Sequence, residues 1–220
     1  MKHYPVLLVI TIALLALGFL IVVCLPSLRL AYCDGATLNA RQQLAHWLQT
    51  PSLPVALEVA QSVETVLSDA SQQCANTALY PLELAKFNEW RAKQAYRIPP
   101  VRDHFYRRVV VYLHAALKRR PLAADLSASI AQFKAYLGEF DIDYHNSLHN
   151  AIRFGLNEPH VQLTALEAAL KGWAVLSAKE KKGVIMLYRS ARQQEPRTVA
   201  VLQQAYAAIG IDKLAAVDYH

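Results

Sequence analysis

From Pro5 to Pro26 the chain reads "PVLLVITIALLALGFLIVVCLP", with no charged side chain and one hydroxyl, Thr11. About 20 apolar residues in a helix span about 30 Å, the thickness of a bilayer's hydrocarbon core. An apolar surface that runs around the whole helix cannot be hidden by packing one face on a soluble core. The run therefore predicts a single membrane span from about Pro5 to Leu25. A cleaved signal peptide has a shorter apolar region, roughly 7–15 residues, and ends in a small-x-small site. The following "CLPSLRLAYC" offers no such site, and Val23 and Tyr32 before the two cysteines do not suit lipoprotein processing. An uncleaved anchor is expected. Lys2 and the amino terminus lie before it, Arg29 and Arg41 after it, so positive charge is nearly balanced across it. We place the N-terminus inside and the bulk of the chain outside a bacterial inner membrane, in the periplasm.

About 190 residues follow, enough for a sizeable core. With 54% hydrophobic residues and seven glycines, this is the composition of an α-rich folded chain. The net charge of +6 is scattered rather than gathered on one helix, so no nucleic-acid partner is expected. Cys24 falls at the membrane edge, leaving Cys33 and Cys74. In an oxidising compartment these two can form a disulfide; as two small buried thiols they are equally well explained.

Apolar residues recur at helical spacing: Val55, Val59, Val63, Val66; then Leu126, Ile130, Phe133, Leu137; then Leu163, Leu166, Leu170, Trp173. No alternating run suggests a strand. "SAKE" at Ser177–Glu180 is a capping box, and Pro99–Pro100 marks a boundary. Three helices run into Pro121, Pro159 and Pro196, spaced by 38 and 37 residues. Each carries a small residue at a similar offset, Ala116, Ala151 and Ala191, and glycines follow two of the intervening helices, Gly138 and Gly210. Helix, turn, helix, proline, repeated, is the layout of a tetratricopeptide-type solenoid, whose period is about 34 residues. The expected fold is all-α: an anchor at 1–26, an N-terminal helical region at 27–99, and tetratricopeptide-like (TPR-like) helical hairpins at 100–220.

Asp141, His145 and His149 sit four residues apart in "DIDYHNSLH" and line up on one side of a helix. An H-x3-H pair can hold zinc. Here no glutamate stands between the histidines to act as base, and Asp141 is badly placed to close a tetrahedron with both. Asp141 reads better as a helix-start residue. A metal site or metal-dependent enzyme built on these three residues is the alternative. Ser177 has no His or Asp nearby in sequence, and there is no Gly-rich phosphate loop, so neither a serine hydrolase nor a nucleotide enzyme is indicated. "KEKK" at Lys179–Lys182 reads as a solvated helix face. "YRRVVVYLHAALKRR" from Tyr106 to Arg120 fits either a membrane-surface helix or a repeat helix with charged ends.

"YLGEFD" at Tyr136–Asp141, "AIRFGLNEPHVQL" at Ala151–Leu163 and the tail "ARQQEPRTVAVLQQAYAAIG" resemble the VpsP-type proteins of bacterial exopolysaccharide and biofilm operons. The resemblance covers about 120 residues; Leu38–Trp90 is similar in layout only. It implies an inner-membrane-anchored, TPR-like accessory protein of polysaccharide synthesis or export. Such a protein would be a non-enzymatic scaffold for membrane enzymes, without cofactor. An assembly factor for a secretion, pilus or cytochrome system would use the same architecture.

Overall fold

The computed structural model describes residues 4–50 and 54–211. Its described residues are helical throughout, without strands. Nine α-helices follow in order: α1 Tyr4–Gln49, α2 Leu57–Gln73, α3 Leu79–Gln94, α4 Pro99–Leu117, α5 Ala124–Leu137, α6 Ile142–Gly155, α7 Pro159–Lys171, α8 Ala178–Gln194 and α9 Pro196–Ala205. Short 3₁₀ turns lie at Trp173–Val175 and Ala207–Ile209.

Helix α1 is 46 residues long. It does not stop at the end of the apolar run; its backbone passes through position 26 and continues into the folded body. Its part from Leu17 to Gln49 holds a stretch long and apolar enough to cross a membrane, and that stretch is only 6% buried. Beyond it, Ala40, Leu44 and Trp47 become core residues. They pack against Ala60, Val63 and Leu67 of α2 and Leu84, Phe87 and Trp90 of α3. The Trp47 and Trp90 rings meet with centroids 4.9 Å apart. Cys33 and Cys74 are joined by a disulfide, with Cα atoms 6.6 Å apart, and both are buried beside Tyr80. The bond ties α1 to the end of α2.

Each later helix packs mainly on the helices one or two places along the chain: α3 on α4, α4 on α5, α5 on α6 and α7, α7 on α8, and α8 on α9. Pro99 opens α4, where a missing N–H costs nothing. Because α3 and α4 lie along each other, packing runs unbroken across position 99. Pro159 and Pro196 likewise open α7 and α9, while Pro121 lies in the α4–α5 turn. Ala116, Ala151 and Ala191, on the alternate helices α4, α6 and α8, are each completely buried, at 0% exposure. Gly138 and Gly210 adopt φ of 72° and 63°, the left-handed conformation that ends a helix most cheaply with glycine.

The stripe on α2 differs from its valine spacing. Val59 is exposed, and the buried line is Ala60, Val63, Leu67, Ala70. The alanines sit where α2 approaches its neighbours closely, and valine counting passes over them. Helix α4 buries Phe105, Val109, Leu113 and Ala116 in the core, so its apolar face is used inside the protein rather than on a membrane surface.

Gly172 follows α7 at close quarters. A Cβ there would collide with the Tyr144 hydroxyl and the Phe140 ring. Tyr144 is fully buried and donates to the Ala168 carbonyl at 3.0 Å. Gly172→Ala is therefore expected to lower stability by about 1–3 kcal/mol through overpacking, read as a lower melting temperature. Gly35→Ala, with open space around its Cβ position on α1, is the control that should not lower it.

Candidate functional site

Asp141 sets the start of α6. Its backbone is extended, and its carboxylate accepts the Tyr144 N–H at 3.0 Å. The same carboxylate takes the Lys134 ammonium at 2.9 Å. Lys134, on α5, is buried, with its side chain 8% exposed. It also faces Asp143 at 3.4 Å and Glu139 at 3.9 Å. His114 of α4 lies 2.9 Å from Asp143, and Arg107 pairs with Glu139. This charged cluster ties α4, α5 and α6 together. Burial works against the charged form of Lys134, but Asp141 and Asp143 outweigh it and hold its pKa above the ordinary value. Burial likewise pushes the Asp141 carboxyl up, but Lys134 and the Tyr144 amide outweigh it, so the pKa is held below the ordinary value.

One turn along α6, His145 is drawn across to α8. Its Nδ1 lies 2.6 Å from Glu180 Oε1. The other oxygen of Glu180 accepts the Ser177 N–H at 2.8 Å and the Ser177 hydroxyl at 2.6 Å. The capping box forms in full, and its glutamate also holds a histidine from a neighbouring helix. Burial opposes the Glu180 charge, yet the Ser177 donors and His145 outweigh it and keep its carboxyl below the usual range.

An open groove of about 800 Å³ lies between α6 and α8 beside this pair. Leu148, Ile152, Leu176 and Met186 give it an apolar floor; His149, Arg153, Lys179 and Lys182 stand along it. Of "KEKK", Glu180 turns inward, Lys181 lies over the Trp173 ring at 5.4 Å, and Lys179 and Lys182 face the groove. An apolar floor with cations along it suits an amphipathic, acidic segment.

The three residues of the H-x3-H alternative do not converge. Asp141 is turned to Lys134, His145 to Glu180, and His149 is exposed on the groove. Among the described residues no group of three or more His, Cys, Asp or Glu side chains is placed to hold a metal ion.

A second, more polar groove of about 520 Å³ lies where α3, α4, α5 and α7 meet. Next to it, Glu167 accepts from Tyr136 at 2.8 Å and from Gln132 at 2.6 Å. Burial, then the hydrogen bond to Glu167, pushes the Tyr136 hydroxyl far above its ordinary pKa. Its cations are engaged: Lys93 with Glu89, Arg102 with Asp103, Lys171 over the Tyr136 ring.

Sequence reading found Asp141, Ser177 and the histidines. It passed over Lys134, Glu167 and the inward turn of Glu180, whose partners lie on other helices. A lysine inside the apolar run "AQFKAYL" is the one signal that could have pointed to the buried cluster. Compared with models of protein families, with curated proteins and with solved structures, the chain matches none of them, so its own residues carry the functional reading.

Proposed function

We propose that this chain is a membrane-anchored, TPR-like scaffold that serves bacterial exopolysaccharide synthesis or export from the periplasmic side of the inner membrane. The observation that carries the reading is the succession of helix pairs α3/α4, α5/α6 and α7/α8, which follows a helix α1 containing an apolar stretch. Each pair supplies one repeat, and stacked pairs bury faces that a single pair would leave exposed. The Cys33–Cys74 bond supports an oxidising compartment for the folded body. The VpsP-type motifs supply the polysaccharide assignment. The mechanism is tethering: a partner held in the α6–α8 groove is kept at high effective concentration beside the membrane. No chemistry is required of the scaffold.

Charge reversal in the groove tests this. Deletion of the gene should reduce secreted polysaccharide, and the wild-type chain should restore it. A Lys179→Glu, Lys182→Glu chain should accumulate normally but restore several-fold less. Unchanged polysaccharide in the deletion strain would remove the assignment. A topology reporter fused after His220 that is active only in the cytoplasm would remove the periplasmic placement.

A further inference from the structure

The end of α4 meets the α2–α3 turn, and that turn meets α1. Helix α2 ends and α3 begins at residues 74–79; α4 runs back and ends at Leu117. The α2–α3 turn lies against α1 just past the apolar run, forming a groove of about 590 Å³ with Leu25, Ser27, Arg29 and Leu30. There the Cys74 sulfur, already bonded to Cys33, lies 3.3 Å from the Arg29 carbonyl oxygen. The adjacent Ala75 carbonyl accepts from the Arg119 guanidinium. The "KRRPL" turn after α4 is thus fixed at the level of Arg29. Leu25 to Arg29 is four residues of helix, about 6 Å of rise. That is about the depth of one headgroup layer, given a core of about 30 Å in a bilayer of about 40–45 Å.

Lys118, Arg119, Arg120 and Leu122 are all exposed, Leu122 at 70%. Asp125 is the nearest acid in sequence, 3.7 Å from Arg120, and Asp69 is exposed one turn before the end of α2. A third acid, Asp34 next to Cys33, is paired with Arg41, so four cations with Arg29 outnumber the two acids that remain. Basic side chains around an exposed leucine, held at headgroup depth, have the composition of an anionic lipid contact.

We propose that the Lys118–Leu122 turn is a second membrane contact. Its basic side chains sit on anionic phospholipid headgroups, and Leu122 enters the interface. This rests on α1 spanning the bilayer, and it fixes the body against the membrane at two points rather than one.

The test uses the full chain in nanodiscs, with a photoreactive amino acid at position 122 or, separately, at position 20 within the span. Lipid adducts are read by mass spectrometry. The probe at 122 should capture lipid, several-fold more in phosphatidylcholine mixed with phosphatidylglycerol than in phosphatidylcholine alone. High salt should abolish that preference, and Lys118→Gln with Arg120→Gln, which removes two of the four cations and leaves the Arg119–Ala75 bond in place, should cut it several-fold. Adducts at 20 but none at 122 would overturn the contact and keep the anchor. No adducts at either position would overturn both. Adducts at 122 that do not depend on lipid charge, or that join two copies of the chain, would overturn the headgroup assignment.

Discussion

Replacing Cys33 and Cys74 together by serine is expected to lower the stability of the folded body by about 4 kcal/mol. The bond closes a loop of 41 residues, and the loop-entropy relation gives about that value for such a length. It pins α1 to the end of α2 beside a small apolar cluster, Ala70, Tyr80 and partly buried Leu79. In a body of this size, about 4 kcal/mol corresponds to a melting point lower by about 10 °C. The measurement is a thermal melt in detergent. A reducing agent should lower the wild-type curve toward that of the double variant and leave the double variant unchanged. Coincident melts of the two proteins under oxidising conditions would refute it.

The second large effect is expected at Lys134. Lys134→Ala leaves the Asp141 and Asp143 carboxylates facing each other without their buried cation. Removing one partner of a buried ion pair costs about 3–5 kcal/mol. Here Asp141 is half exposed and water screens it, so about 2 kcal/mol is expected. Lys134→Met, which keeps the stem and its packing, should recover only the hydrophobic part of the loss. The cluster also predicts a pH dependence with two limbs. Asp141 has a folded pKa below its ordinary 3.8, so its contribution is complete above that value and is lost as pH falls through the lower, folded one. Lys134 has a folded pKa above its ordinary 10.5, so its contribution is complete below 10.5 and is lost as pH rises through the higher, folded one. The wild type should therefore outlast Lys134→Ala by a constant margin across neutral pH. The margin should shrink in strong acid and in strong base. Denaturant midpoints across pH measure it, and a margin that stays constant below pH 3 would count against the ion cluster.

Local signals in the sequence were read correctly because their physics is local. The capping box at Ser177 and Glu180, the helix-start role of Asp141, and the breaks between helices at Pro121, Pro159 and Pro196 depend on residues close in sequence. The buried alanines at 116, 151 and 191 were legible because repetition singled them out. What escaped notice depends on faces meeting in space. His145 and Glu180 are 35 residues apart, and no spacing rule on α6 or α8 links them. Lys134 looks like an interruption of an apolar stripe until the acids at the start of α6 come round to it. The α2 stripe was misplaced because alanine carries little hydrophobic signal, yet fits best where helices approach most closely. That the helix of the expected anchor runs on past position 26 into the folded body was not legible, because a proline usually stops a helix.

That continuity has a mechanical consequence. From position 26 to Gln49 the helix extends about 35 Å at 1.5 Å per residue, with the disulfide and the Trp47–Trp90 contact clamping it to the body along the way. A shaft of this length turns angular motion into displacement. If its apolar end spans a bilayer, tilting that end by about 10° would swing the far end through about 6 Å, roughly the pitch of one helical turn. Strain in the surrounding bilayer, or a neighbour leaning on the buried half, would thus reach the distal surface as a sideways stroke.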